Sequence, residues 1–295
     1  MSNTPLIASP ARTQAIINRY GLNIKKSLGQ NFLTDINILE HIVQAAELSE
    51  KDNVIEIGPG IGGLTEFLAQ NSHHVLAFEI DEQLVPILGE TLSQYDNITI
   101  LNQDILKANL PKVIKENFDQ DRPLKLVANL PYYITTPILM NVLQSGIQFD
   151  SITVMMQKEV ADRLVAVPGT KAYGSLSIAV QYRTDAEVAF TVPRTAFIPQ
   201  PNVDSAIVTM TKREPFDPAP FDERAFSKFV KGSFMHRRKS FWNNLCAIFG
   251  KDQDVKDRIT NVLNRVRISP QIRAERLTIE QFIVLVNALH EEGLL

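Results

Sequence analysis

The stretch from Asn53 to Gln70 constrains the fold more than any other part of the chain. Asn53-Val54-Ile55-Glu56-Ile57 reads as a compact strand that runs directly into Gly58-Pro59-Gly60-Ile61-Gly62-Gly63-Leu64-Thr65 and a helix reaching about Gln70. Gly58, Gly60 and Gly63 spell G-x-G-x-x-G in the strand-to-helix setting that gives the pattern its meaning. Such a turn lets a ligand approach the backbone closely and aims amide N–H groups at its anionic part. Further strands follow with helical segments between them: His74 to Ile80, Ile98 to Asn102, Leu124 to Ala128 and Ser151 to Met156. They alternate poorly between apolar and polar residues, as parallel strands covered on both faces do. The expectation is an α/β protein built on a doubly wound sheet.

The ends of these strands carry the chemistry. Glu79 lies about 20 residues beyond the glycines, where a doubly wound fold places a carboxylate to accept both ribose hydroxyls. Asp104, after the third of these strands, suits either an adenine amino group or the N-cap of the next short helix. Together with the glycine turn they specify a nucleoside-containing ligand, without choosing between a dinucleotide and S-adenosylmethionine. The next strand chooses, because it ends in Asn129-Leu130-Pro131-Tyr132. Asn129 offers an acceptor and a donor, Pro131 removes backbone freedom and an N–H, and Tyr132 supplies a flat apolar face with a polar tip.

That combination answers the problem of methylating an exocyclic amine, whose lone pair is delocalised into its ring. If the Asn129 side-chain oxygen and the Leu130 carbonyl each accept one N6 hydrogen, the amine is pushed toward tetrahedral geometry and its lone pair is freed. Tyr132 on one face and Phe197 on the other would clamp the base, Phe197 being projected by the proline-stiffened segment Phe197 to Ser205. Stacking of roughly 1–3 kcal/mol per base helps offset the cost of unstacking it from RNA.

Composition bounds the remaining possibilities. The net charge of −3 argues against a generic nucleic-acid binder. Residues 212–295, however, carry 15 Lys/Arg against 11 Asp/Glu, a net +4 that leaves −7 for residues 1–211. After the linker-like Pro215 to Pro220 this basic part reads as helical throughout, with Arg237-Arg238-Lys239 before Phe241-Trp242. The expected division is an N-terminal extension at 1–24, a catalytic domain at 25–212 and a helical RNA-binding domain at 213–295. Lys25 and Lys26, in a polar loop before the Asp35-capped helix, join the basic candidates for RNA contact. The single cysteine, Cys246, excludes an intrachain disulfide, and no cysteine–histidine cluster suggests a metal. With no signal pattern and no run of eighteen apolar residues, a cytoplasmic protein without membrane attachment is expected.

Four segments, in order, carry a resemblance to a known family: Lys26-Ser27-Leu28-Gly29-Gln30-Asn31-Phe32-Leu33, Glu56 to Gly60, Asn129 to Tyr132, and Phe197-x-Pro199-x-Pro201-x-Val203-x-Ser205. They resemble the ribosomal RNA adenine dimethyltransferases, most of all the bacterial small-subunit enzymes. The resemblance implies the Rossmann-like fold of class I S-adenosylmethionine-dependent methyltransferases with a small all-helical C-terminal domain. It implies S-adenosyl-L-methionine as methyl donor, no metal, and a monomer. The implied substrate is N6 of two adjacent adenosines near the 3′ end of 16S rRNA, in the small subunit or its precursor. It also assigns roles: Asn31, Leu33, Gly58, Gly60, Glu79, Asp104 and Asn129 to the donor, and Asn129, Leu130, Pro131, Tyr132 and Phe197 to the target base. Arg237, Arg238 and Lys239 would hold RNA through phosphates. A large-subunit enzyme of the macrolide-resistance kind shares the core motifs. A nicotinamide dehydrogenase leaves Asn129 to Tyr132 without a purpose, and a noncatalytic assembly factor leaves the catalytic residues without one.

Overall fold

The strand before the glycine turn is buried along its whole length, and the sheet is built outward from it. The computed structural model describes residues 5–25, 28–119 and 121–295. Its strands are β1 (Phe32–Leu33), β2 (Asn53–Ile57), β3 (His74–Glu79), β4 (Ile98–Asn102), β5 (Leu124–Asn129), β6 (Ser151–Gln157), β7 (Thr184–Val192), β8 (Phe197–Ile198) and β9 (Ser205–Lys212). A seven-stranded sheet takes the order β4-β3-β2-β5-β6-β9-β7. The neighbours from β4 to β6 are parallel, and β9 closes against β6 antiparallel. Sequence order runs one way from β2 toward β3 and β4 and the other way toward β5 and β6. That reversal opens a crevice beyond the carboxyl ends of β2 and β5, where doubly wound sheets bind ligands.

Local chemistry accounts for the helices around the sheet. The Asp35 side chain accepts from the Asn37 and Ile38 N–H groups and starts the helix Ile36–Ala45. Gly62, at φ +95°, caps the helix Gly63–Gln70, so that helix begins within the glycine turn. The N-terminal residues are not a separate extension. Ile7 and Ala8 are 0% and 1% exposed, and the Ile7 N–H donates to the buried Glu66 carboxylate at 2.7 Å. β1 and β8 pair antiparallel, Phe32 with Ile198 and Leu33 with Phe197. Two-residue strands have no periodicity to read, which is why the sequence suggests loops at both places.

The chain divides into two compact units, residues 1–161 with 185–212, and residues 162–184 with 213–295. The second is helical, with Glu223–Ser233, Phe241–Phe249, Gln253–Arg265 and Ile279–Glu291 as its longer members. Phe282 meets Phe229 and Phe241 edge-on at 6.3 and 6.2 Å. Thr278 and Gln281 form the capping box that their spacing predicts. Residues 162–184, which the linear reading places with the sheet, go with the helices because Tyr173 and Ile178 are fully buried in the helical core.

Candidate active site

Gly58 and Gly60, with φ of +72° and +63°, carry the chain out of β2 through left-handed conformations. A Cβ at Gly60 would stand 3.1 Å from the Phe32 ring, so the turn admits no side chain there without displacing β1. The Gly58 N–H donates to the Phe78 carbonyl, which ties the turn to β3. At the end of β3, Glu79 accepts from the Asp81 N–H at 2.8 Å through one oxygen and from the Gly60 N–H at 3.3 Å through the other. It is 4% exposed, and burial raises its carboxyl above the usual range, tempered by those amides. In β2, Glu56 is 1% exposed and its Oε2 has no hydrogen-bond partner among the described residues. Burial pushes the Glu56 carboxyl up to about 8, with the nearby Glu79 charge adding to the rise. The Thr65 hydroxyl lies near enough to temper that rise without meeting hydrogen-bond geometry.

These groups line a cleft that encloses about 1100 Å³ of atom-free space, part of it open to solvent. Its opposite wall is the end of β5. The Asn129 Nδ2 donates to the Asn31 carbonyl at 3.3 Å, and the Asn31 amide in turn donates to the Gly29 carbonyl at 3.0 Å. That leaves Asn129 Oδ1 as an acceptor, and no donor among the described residues reaches it or the Leu130 carbonyl. The turn itself is held by Leu130 N–H to the Met155 carbonyl at 3.1 Å, and by Ile134 N–H and Thr135 Oγ1 to the Pro131 carbonyl at 3.2 and 2.9 Å. Tyr132 is half-buried, its hydroxyl 2.5 Å from Ser205 Oγ at the start of β9. Asp104 closes a turn by accepting from the Leu106 N–H at 3.0 Å and stays partly exposed in the cleft.

The cleft thus gathers Asn31, Leu33, Gly58, Gly60, Glu79, Asp104, Asn129, Leu130, Pro131 and Tyr132. Phe197 is not among them. It is 3% exposed and packed in the core with Leu33, Ala196 and Ile207, because its pairing with Leu33 turns it inward. Lys25 has an internal partner, its ammonium 2.8 Å from Asp81. Burial alone would raise Asp81, but Lys25 and Gln30 outweigh it and hold the carboxyl below the usual range. Lys26 lies outside the described residues. On the helical unit, one Arg237 nitrogen donates to the carbonyls of Lys171 and Tyr173 at 2.8 Å each and reaches Glu275 at 3.4 Å. Arg238 and Lys239 are exposed, with no side-chain partner among the described residues. Glu56 enters the sequence reading only as the start of a segment that carries the resemblance, with no role of its own, although a carboxylate inside an apolar parallel strand is itself a signal. Tyr133 and Ile80 also line the cleft, 51% and 50% exposed.

A switch-point cleft holding a glycine turn, a buried strand-end carboxylate and an Asn-Leu-Pro-Tyr turn defines a Rossmann-like nucleic-acid base methyltransferase. Residues 21–290 match the family described as ribosomal RNA adenine dimethylase, and the chain belongs to that family. It is 64% identical to a ribosomal RNA small subunit methyltransferase A of Levilactobacillus brevis, over 99% of this chain and 98% of that one. With the protein of the same description from Lactiplantibacillus plantarum it shares 62% identity over the whole of both chains. Among solved structures, a dimethyladenosine transferase from Plasmodium falciparum has the same fold, with a TM-score of 0.71 at 24% identity over 88% of this chain and 97% of that one. The 23S rRNA methyltransferase ErmE superposes with a TM-score of 0.63 at 27% identity over 88% of this chain and all of that one.

Proposed function

We propose that the protein transfers methyl groups from S-adenosyl-L-methionine to N6 of two adjacent adenosines near the 3′ end of 16S rRNA, giving N6,N6-dimethyladenosines. It does so on the small subunit or its precursor, as a cytoplasmic monomer. One observation carries the reading: two acceptors without partners, Asn129 Oδ1 and the Leu130 carbonyl, stand on a fixed turn in the cleft that holds Glu79. The small-subunit names of relatives above 60% identity support the choice of RNA.

The residues present fit the donor. Glu79 is the residue for the ribose hydroxyls, Asp104 for the adenine amino group, and Gly58 and Gly60 for close backbone approach, with Asn31 and Leu33 walling the site. When bound, S-adenosylmethionine supplies an electrophilic methyl on a sulfonium whose departure leaves a neutral thioether, so no strong general base is required. Asn129 Oδ1 and the Leu130 carbonyl accept hydrogen bonds from the two N6 hydrogens of the unmethylated amine and aim its lone pair, and each transfer leaves a cationic amine that sheds one N6 proton to solvent. Pro131 stiffens that geometry and Tyr132 stacks on the base, its ring anchored through Ser205. Phe197 serves by holding β1, and with it Leu33, in place. Arg238 and Lys239 hold RNA through phosphates on a turn that Arg237 fixes.

The test offers purified protein each ribosomal subunit separately with labelled methyl donor. Label in the small subunit is expected. Label confined to the large subunit, the substrate named for ErmE, contradicts the proposal.

A further inference from the structure

Tyr133 follows the base-binding motif and has no role in the reading above, yet its side chain is 51% exposed on the lip of the cleft. Its neighbour Tyr132 is half-buried and tied to Ser205. The turn that carries both rings is fixed at Leu130, Pro131 and Thr135, so the exposure of Tyr133 does not come from a frayed loop. One edge of the ring rests on the segment before β1: a Cβ at Gly29 would stand 3.4 Å from Tyr133 Cδ1, and Gly29 has φ +63°. A large aromatic surface held rigid and bare beside a cleft marks a place that a ligand covers.

The surroundings of the ring say which ligand. Tyr133 lines the same cleft as Asp104 and Glu79, and after burial the charges of these two carboxylates raise its hydroxyl further. Those are the groups given above to the adenine amino group and the ribose. Ile80, 50% exposed, adjoins Glu79 in the same cleft.

We propose that Tyr133 is a donor-binding residue whose ring covers the nucleoside of S-adenosylmethionine, shielding its hydrogen bonds to Glu79 and Asp104 from water. The assignment rests on the reading of the cleft as the donor site. It separates the two adjacent tyrosines by task, Tyr132 to the target base and Tyr133 to the methyl donor.

Calorimetric titration with S-adenosylhomocysteine on full-length Tyr133→Ala, Tyr133→Phe and Glu79→Ala tests it, alongside steady-state kinetics on small subunits with each substrate varied. Tyr133→Ala should weaken S-adenosylhomocysteine about tenfold, in the range for a base stacked on an aromatic ring. The donor KM should rise to match while kcat and the RNA KM stay within about twofold, and Tyr133→Phe should bind like wild type. A general structural defect would not confine itself to the donor KM or be rescued by Phe. If Glu79→Ala loses binding and Tyr133→Ala does not, the Tyr133 assignment falls alone, and a shifted RNA KM would then place the ring on the RNA side. If Glu79→Ala binds like wild type, the donor-site reading falls and the Tyr133 assignment with it.

Discussion

Two proline-stiffened loops in the sheet unit invite comparison. Asn129 to Tyr132 and Phe197 to Ser205 each contain proline and each offer an aromatic ring. The first faces the cleft with two acceptors lacking partners, while the second pairs as β8 with β1 and buries its Phe at 3% exposure. A hydrogen bond between Tyr132 and Ser205 joins them. The difference lies in the backbone. Where the N–H and C=O groups of a loop find a strand partner, the side chains are drawn into the core; where a turn is closed on itself, as through the Pro131 carbonyl, polar groups are left for a ligand. The first loop presents groups to the cleft and the second packs into the core.

That contrast is breakable. Phe197→Ala should cost about 3–5 kcal/mol, as removal of a buried Phe side chain does. It should show as a lower urea midpoint, with kcat of the folded fraction nearly unchanged. Lost turnover at unchanged stability would return Phe197 to the base clamp. Asn129→Ala should do the opposite, lowering kcat roughly 10²–10³-fold, the loss seen when one positioned hydrogen-bonding group is removed, with little change in thermal midpoint.

Glu56 sharpens the cost of building a cleft. Its folded value of about 8 lies above the ordinary 4.5, so between those values the native state keeps a proton that the unfolded chain releases. The stabilisation is complete below about pH 4.5 and is lost as pH rises through 8, by something on the order of 5 kcal/mol. Glu56→Gln should flatten the dependence of thermal midpoint on pH across that window; parallel curves for the two proteins would contradict this. The smallest effect belongs to the helical unit. Arg238→Ala and Lys239→Ala should each lower the salt slope of small-subunit binding by about one without changing stability. Arg237→Ala should lower the thermal midpoint, because it frees the carbonyls of Lys171 and Tyr173.

What was legible in the sequence was local. The glycine turn, the Asp35 cap, the Thr278 capping box and the polar strand ends are written within a few residues of one another, and the structure has each where the spacing puts it. The rest depends on contacts between distant residues. Lys25 finds Asp81, Phe197 finds Leu33, and Ile7 finds Glu66, and no periodicity announces such pairs. Residues 162–184 pattern like a continuation of the sheet domain until Tyr173 and Ile178 are seen among the phenylalanines of the helical unit. The cleft was legible because its parts sit at strand ends, which the alternation of strand and helix marks; the inward turn of Phe197 was not, because a two-residue strand leaves no trace.

Asn129 Oδ1 and the Leu130 carbonyl, in the cleft that holds Glu79, are proposed to orient an adenosine N6 for repeated methylation. The most direct measurement is the mass and position of the modified nucleoside from small subunits treated with full-length protein and S-adenosylmethionine, read after nuclease mapping. N6,N6-dimethyladenosine is expected at two adjacent positions near the 3′ end of 16S rRNA. Methylation on a ribose, on another base, or on no RNA of the small subunit would contradict it.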